Sequence, residues 1–223
     1  MVNFAQQRQA MVDGQVRVND VTDQRILAAM QELPREQFVP RERMELAYID
    51  EDLLLRKAKG DLPARYLIEP MVISKLVQAL ELRAADHVLD IGCSTGYSSA
   101  LLGQLAASVV ALEEDPDFAA TATRLLKGLG ATNVKVVRGA LAAGWPEGAP
   151  YDAILLEGSA ELIPQALTDQ LKDGGRLVAV MGTGRSAKAT VHLRSGEVVS
   201  ARPVFDAAIP MLPGFARTPQ FVF

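Results

Sequence analysis

The chain has 223 residues, of which 49% are hydrophobic, 22% charged and 5% aromatic, and it carries a net charge of −4. That composition supports a buried core in one large domain or a domain with an appendage, which excludes a disordered chain. The acidic balance and scarce aromatics exclude a general nucleic-acid binder. One cysteine, Cys93, and two histidines, His87 and His192, give neither a disulfide framework nor a Cys/His metal set.

In chain order, residues 1 to about 60 are helical in pattern and charge-rich. Thr22 is placed to cap a helix in which Ile26, Leu27, Met30 and Leu33 repeat at helical spacing until Pro34 stops it. A loop around Lys57 to Pro63 follows. Pro70 to Leu82 then reads as an amphipathic helix with Val72, Ile73, Leu76, Val77 and Leu80 on one face. From about residue 86 strands alternate with helices. The strands are Val88–Ile91, Ser108–Leu112, Val134–Val137, Tyr151–Leu156 and Arg176–Val180, and the helices are Tyr97–Leu105, Pro116–Leu129 and Ile163–Leu171. Near-continuous apolar strands in alternation with helices predict a parallel sheet covered on both faces, a three-layer α/β/α Rossmann-like architecture.

Ala189–Leu193 and Val198–Ser200, joined by Ser195-Gly196-Glu197, predict an antiparallel hairpin at the sheet's edge, with His192 on its surface. Four of the twelve prolines (Pro203, Pro210, Pro213, Pro219) fall in the tail, where an irregular final strand is expected. The expected organisation is a helical cap with an acceptor loop over 1–84 and a core over 85–223, in one compact domain. No apolar run reaches the roughly 18 residues needed to span a bilayer, and the start shows no signal-peptide pattern. A cytoplasmic protein without membrane partners is therefore expected.

Ligands of open parallel sheets bind at the carboxyl ends of the strands. The first core strand ends in Asp90-Ile91-Gly92-Cys93-Ser94-Thr95-Gly96-Tyr97. Gly92 and Gly96 allow a sharp turn and a close approach to a ligand, and the helix that follows offers free N–H groups to an anion. A dinucleotide loop would need glycine at 94 and 97, where Ser94 and Tyr97 stand. The spacing resembles instead the first motif of class I methyltransferases, D/E-x-G-x-G-x-G, with Ser94 at the middle glycine. Glu113 ends the second core strand, 23 positions after Asp90, where a carboxylate can accept both ribose hydroxyls. Loop and acid together point to S-adenosylmethionine. A strand–helix turn with two glycines and a solvated acidic turn are the plainer readings of each alone.

Over Met11 to Gly182 the chain resembles the protein-L-isoaspartate O-methyltransferase family. The landmarks are Leu33-Pro34-Arg35-Glu36-Gln37-Phe38-Val39-Pro40, Ala47-Tyr48, Val88 to Tyr97, Gly144-Trp145-Pro146, Ala149 to Ile154, Ile163 to Leu167 and Gln170 to Val178. The resemblance implies methyl transfer from S-adenosylmethionine to the carboxylate of isoaspartyl residues in damaged proteins or peptides. It also implies a seven-strand sheet under N-terminal helices. Asp90, Gly92, Cys93, Ser94 and Gly96 would hold the methionine portion, Glu113 the ribose, and Ala140 and Leu141 would border the adenine.

Two segments depart from the family. Its acceptor loop, T-I-S-Q-P, is here Tyr66-Leu67-Ile68-Glu69-Pro70, so Tyr66, Ile68 and Glu69 become the acceptor-loop positions. The family's G-D after the third core strand is here Gly139-Ala140. An anionic acceptor calls for a donor, which Arg65 and Tyr66 could supply, while Glu69 is expected to pair with Arg65 or another cation, to mark a changed acceptor such as an amine, or simply to start a helix. A methyl acceptor other than isoaspartate, or a non-catalytic S-adenosylmethionine-binding module, are the alternatives. Cys93 and Trp145 read as packing residues.

Overall fold

A computed structural model describes residues 2–60 and 62–217, so Asp61 of the expected loop and Pro219 of the expected tail lie outside the described residues. The cap opens with α1 (Phe4–Met11), started by the Asn3 side chain, which accepts from the Gln6 N–H, and continues to α2 (Gln24–Glu32). The cap of α2 is Asp23, not Thr22: the Asp23 side chain accepts from the Arg25 N–H, and the N–H groups of Thr22 and Asp23 both donate to the Gln78 side-chain oxygen. Leu33 takes an extended ψ of 122°, as the residue before proline must, and the helix stops there. A short antiparallel pair, β1 (Leu53–Arg56) and β2 (Arg65–Leu67), then flanks the expected loop and leads into α3 (Pro70–Ala79). Proline at the first position of α3 costs no hydrogen bond, and the buried residues Val72, Ile73, Leu76 and Val77 fall on the predicted face.

The core follows as β3 (His87–Ile91), α4 (Tyr97–Gly103), β4 (Ser108–Glu113), α5 (Pro116–Gly128), β5 (Val134–Arg138), β6 (Tyr151–Ala160), α6 (Gln165–Thr168) and β7 (Leu171–Met181). The hairpin β8 (Lys188–Ser195) and β9 (Val198–Asp206) completes one seven-stranded sheet in the order β5-β4-β3-β6-β7-β8-β9. The strands from β5 to β7 run parallel, and β8 and β9 are antiparallel, as expected. The helix α6 is one turn rather than the predicted Ile163–Leu171, because Leu171 already pairs with Tyr151 in the sheet. His192 is not on the edge: β8 lies between β7 and β9, so the ring is half-buried and its pKa is lowered by burial.

Apolar side chains form a layer on each face. One joins α2, α3, α4 and α5 to Val88, Val109, Leu155 and Val178, so the cap and one sheet face share a core. The other gathers Leu89, Ile91, Leu112, Ile154 and Leu177 with Trp145 packed against them, and it also takes in Leu212 and Phe215 from the tail. Among the described residues no strand forms beyond β9. Pro210 and Pro213 have no N–H for a ladder, and residues 207–217 instead cross the carboxyl edge of the sheet, joined to it by an isolated bridge between Ser159 and Met211 and by the packing of Leu212 on Gly158. Among the described residues no helix is long and apolar enough to cross a membrane.

Candidate functional site

The sheet order reverses at β3: β4 and β5 follow on one side, β6 and β7 on the other. A crevice therefore opens at the carboxyl ends of β3 and β6, the place where such sheets bind ligands. The loop 90–96 leaves β3 at this point. Gly92 (φ +82°) and Gly96 (φ +93°) adopt backbone conformations open to glycine. Gly96 also brings α4 against α5: a Cβ there would stand 3.2 Å from Ala122 and Leu126. Ser94 is left-handed too, at φ +50°, which gives a backbone reason for a glycine at this position in the motif it departs from. Its side chain gives something back, donating to the Gly92 carbonyl and accepting from Arg65.

Asp90 is fully buried. Its Oδ2 accepts from the Ser98 and Ser99 hydroxyls at 2.7 and 2.6 Å, while Oδ1 has no partner. Burial pushes its pKa up to about 6 despite those two hydroxyls. A free, buried carboxylate oxygen suits a cationic donor such as the ammonium of a methionine moiety. Across the crevice Glu157 at the end of β6 also has an unpartnered oxygen, Oε1, and burial together with the Asp90 charge raises its carboxyl well above the usual range. Cys93 is buried and its thiol is pushed up by burial, so it packs rather than reacts.

Glu113 stands at the end of β4 as expected, but its carboxylate is taken. Arg65 from β2 reaches it with both Nη atoms (2.9 and 2.7 Å), and the backbone N–H groups of Ser94, Glu114 and Asp115 donate at 2.8, 3.0 and 3.0 Å. Five donors meet a group with about four lone-pair sites. Arg65 therefore pairs with Glu113, correcting the expectation that it would pair with Glu69 or face an acceptor.

Of the three acceptor-loop positions, Tyr66 and Ile68 line the crevice's rim and Glu69 does not. Tyr66 is half-buried and Ile68 buried, and both line, with Glu157, Met211 and Leu212, a cavity of only about 10 Å3. Glu69 is the N-cap residue of α3 without a side-chain capping bond, and its N–H donates to Asp52. No cation joins it. Burial and the nearby charges of Asp52, Asp50 and Glu51 raise its pKa to about 7. At the adenine side, Ala140 is exposed and begins the turn Leu141–Ala143, and Leu141 is buried in the second apolar layer.

Residue-level reasoning missed two contributors, Arg35 and Leu212, and named Arg65 without its partner. Arg35, fully buried inside the Leu33–Pro40 landmark, donates to the carbonyls of Ala47 (2.8 Å) and Ile68 (2.6 Å) and lies over the Tyr97 ring at 4.8 Å. One side chain thus ties two landmark segments to the acceptor loop and to α4. Its place within the Leu33–Pro40 landmark was the available signal. Leu212 carried none, and nothing paired Arg65 with Glu113, since only the folded chain brings these groups together. Leu212 packs on Gly92 and Gly158, where added Cβ atoms would come within 2.6 and 2.8 Å of it.

The glycine loop, the free Asp90 oxygen and Glu113 thus form a frame that fits a methionine-bearing nucleoside, but the volume between them is held by Arg65 and Leu212.

The family model for protein-L-isoaspartate(D-aspartate) O-methyltransferase matches residues 6–205. Protein-L-isoaspartate O-methyltransferase 1 of Rhodopseudomonas palustris (strain HaA2) is 38% identical over 200 residues, covering 90% of this chain and 79% of that protein. The protein-L-isoaspartate O-methyltransferase of Methanoculleus marisnigri is 41% identical over 176 residues, 79% of this chain and 77% of its own. A solved structure from Plasmodium falciparum, in complex with S-adenosyl-L-homocysteine, superposes with a TM-score of 0.75 over 92% of this chain and 97% of that one. At 17% identity that likeness is one of fold.

Proposed function

The chain belongs to the protein-L-isoaspartate(D-aspartate) O-methyltransferase family, and from that premise we propose how its site serves the family's reaction. The protein is an S-adenosylmethionine-dependent methyltransferase that methylates the carboxylate of isoaspartyl residues in proteins or peptides. The observation that carries our assignment of the site is the meeting of the Asp90–Gly96 loop, the unpartnered Asp90 oxygen and Glu113 at the sheet's switch point.

When bound, the cofactor supplies an electrophilic sulfonium methyl group. The acceptor carboxylate carries its own negative charge, so the chain need provide no general base. What it provides is placement and dryness. Asp90 offers Oδ1 to an ammonium group, Gly92 and Gly96 let backbone approach the ligand, and Glu113 offers its carboxylate to the ribose once Arg65 is released. Ala140 and Leu141 border the adenine.

Tyr66 and Ile68 bring the acceptor to the rim, and Arg35 holds this loop by the Ile68 carbonyl. Glu69, with a pKa near 7, is in part protonated at neutral pH, which relieves its repulsion of an anionic acceptor and lets it donate a hydrogen bond. We place the enzyme in the cytoplasm, where its lone thiol would stay reduced.

Incubation with tritiated S-adenosylmethionine and a matched pair of peptides tests the reading. Label should enter the isoaspartyl peptide and not its aspartyl isomer. A protein that labels neither, while still binding S-adenosylhomocysteine, would refute it.

A further inference from the structure

We propose that Arg65 and Leu212 form an internal plug, occupying the cofactor crevice in the free protein, and that S-adenosylmethionine enters only by displacing both. The inference rests on the cofactor reading above and concerns how the site opens. Three independent observations carry it.

The first is saturation. Glu113 is wholly buried, and the Arg65 guanidinium takes the acceptor positions that two ribose hydroxyls would need. The same guanidinium donates to the Gly92 carbonyl and the Ser94 hydroxyl, both at 3.0 Å, so it bonds to the glycine loop as a ligand would.

The second is occupancy. Leu212 is 1% exposed and stands at the switch point itself, its side chain on Gly92 of the β3 end and its backbone on Gly158 of the β6 end. Short bonds stitch the segment there: the Ser159 N–H donates to the Pro210 carbonyl and the Leu212 N–H to the Ser159 carbonyl, both at 2.9 Å. Three residues on, the Glu161 N–H donates to the Phe215 carbonyl at 2.9 Å.

The third is the shape of the empty space. An outer cavity of about 310 Å3, reached past Arg56, Glu114 and Asp115, ends at Arg65 and Pro213. The inner cavity of about 10 Å3 at the acceptor loop begins at Arg65 and Leu212. The outer volume is in the range of small-molecule sites, and the inner holds no more than a water. The same two elements wall one from the other, so withdrawing them would join the two into one cleft from the Glu113 side to the acceptor loop.

A chain that is competent only when unplugged binds more weakly in proportion to its competent fraction. Calorimetric titration of S-adenosylhomocysteine into wild type, Leu212→Ala and Arg65→Gln tests this directly. Each variant should bind at least about tenfold more tightly than wild type, corresponding to a competent fraction below about one tenth. A folded Leu212→Ala that binds no more tightly than wild type overturns the plug. If that variant does not fold, amide hydrogen exchange on the wild type decides. Residues 209–216 should exchange faster when S-adenosylhomocysteine is bound, and ligand-induced protection of them would overturn the proposal. Equal affinities with intact methylation of the isoaspartyl peptide would remove the plug and leave the enzyme reading standing. Absence of binding by wild type and both variants alike would remove the plug and the cofactor reading together.

Discussion

The loop from Asp90 to Gly96 and the segment from Ala207 to Arg217 meet at one crevice but are held there by different means. The loop is fixed from within, by left-handed backbone at Gly92, Ser94 and Gly96 and by the hydroxyls of Ser98 and Ser99, eight and nine residues beyond Asp90. The tail segment has no regular structure and is fixed from without, by the end of β6 and by the burial of Leu212 and Phe215. A site framed by local geometry can keep its form while a neighbouring segment without regular structure of its own leaves it. That asymmetry is what allows a buried crevice to admit a ligand.

The strongest test of this contrast is on the fixed side. Glu113→Gln would leave Arg65 as a buried cation without its counter-charge, and breaking such a pair costs about 3–5 kcal/mol. Urea unfolding should show a loss of that size, together with lost S-adenosylhomocysteine binding. A loss under about 1 kcal/mol would mean that the pair does not hold the crevice together.

A smaller effect is expected at Ser94, where Gly and Ala separate backbone from side chain. Both variants lose the hydroxyl, but only alanine keeps the left-handed penalty. Ser94→Gly should exceed Ser94→Ala in stability by about 1–2 kcal/mol. Equal stabilities would show that the loop is not fixed by its own backbone.

The smallest effect belongs to the acceptor loop. Glu69 has its pKa raised from 4.5 to about 7 in the folded protein, so folding takes up a proton between those values. Its contribution to stability is full below about pH 4.5 and is lost as pH rises through about 7. Glu69→Gln should flatten that part of the stability–pH profile, by about 1 kcal/mol or less given the group's solvent exposure. An unchanged slope between pH 4.5 and 7 would place Glu69 in an ordinary solvated setting.

The legible part of the molecule was that in which the message is local. Apolar runs gave the parallel strands, Gly196 gave the hairpin turn, and the spacing of Asp90, Gly92, Gly96 and Glu113 gave the frame at the switch point. Ends were less legible where a tertiary bond decided them, as when Leu171 paired with Tyr151 in the sheet and cut α6 to one turn. The plug was not legible at all. Arg65 meets Glu113 across 48 residues and Leu212 meets Gly92 across 120, and neither carries a periodicity or turn signal that names its partner. Prolines in the tail pointed to irregular chain but not to where that chain would lie.

The most direct measurement is a crystal structure of the protein with S-adenosylhomocysteine bound. That structure should show the ribose hydroxyls on the Glu113 carboxylate, the ligand's ammonium at Asp90 Oδ1, and both the Arg65 guanidinium and the Leu212 side chain moved out of the crevice. A complex in which the ligand lies elsewhere, with the Arg65–Glu113 pair intact and Leu212 still on Gly92, would contradict that placement.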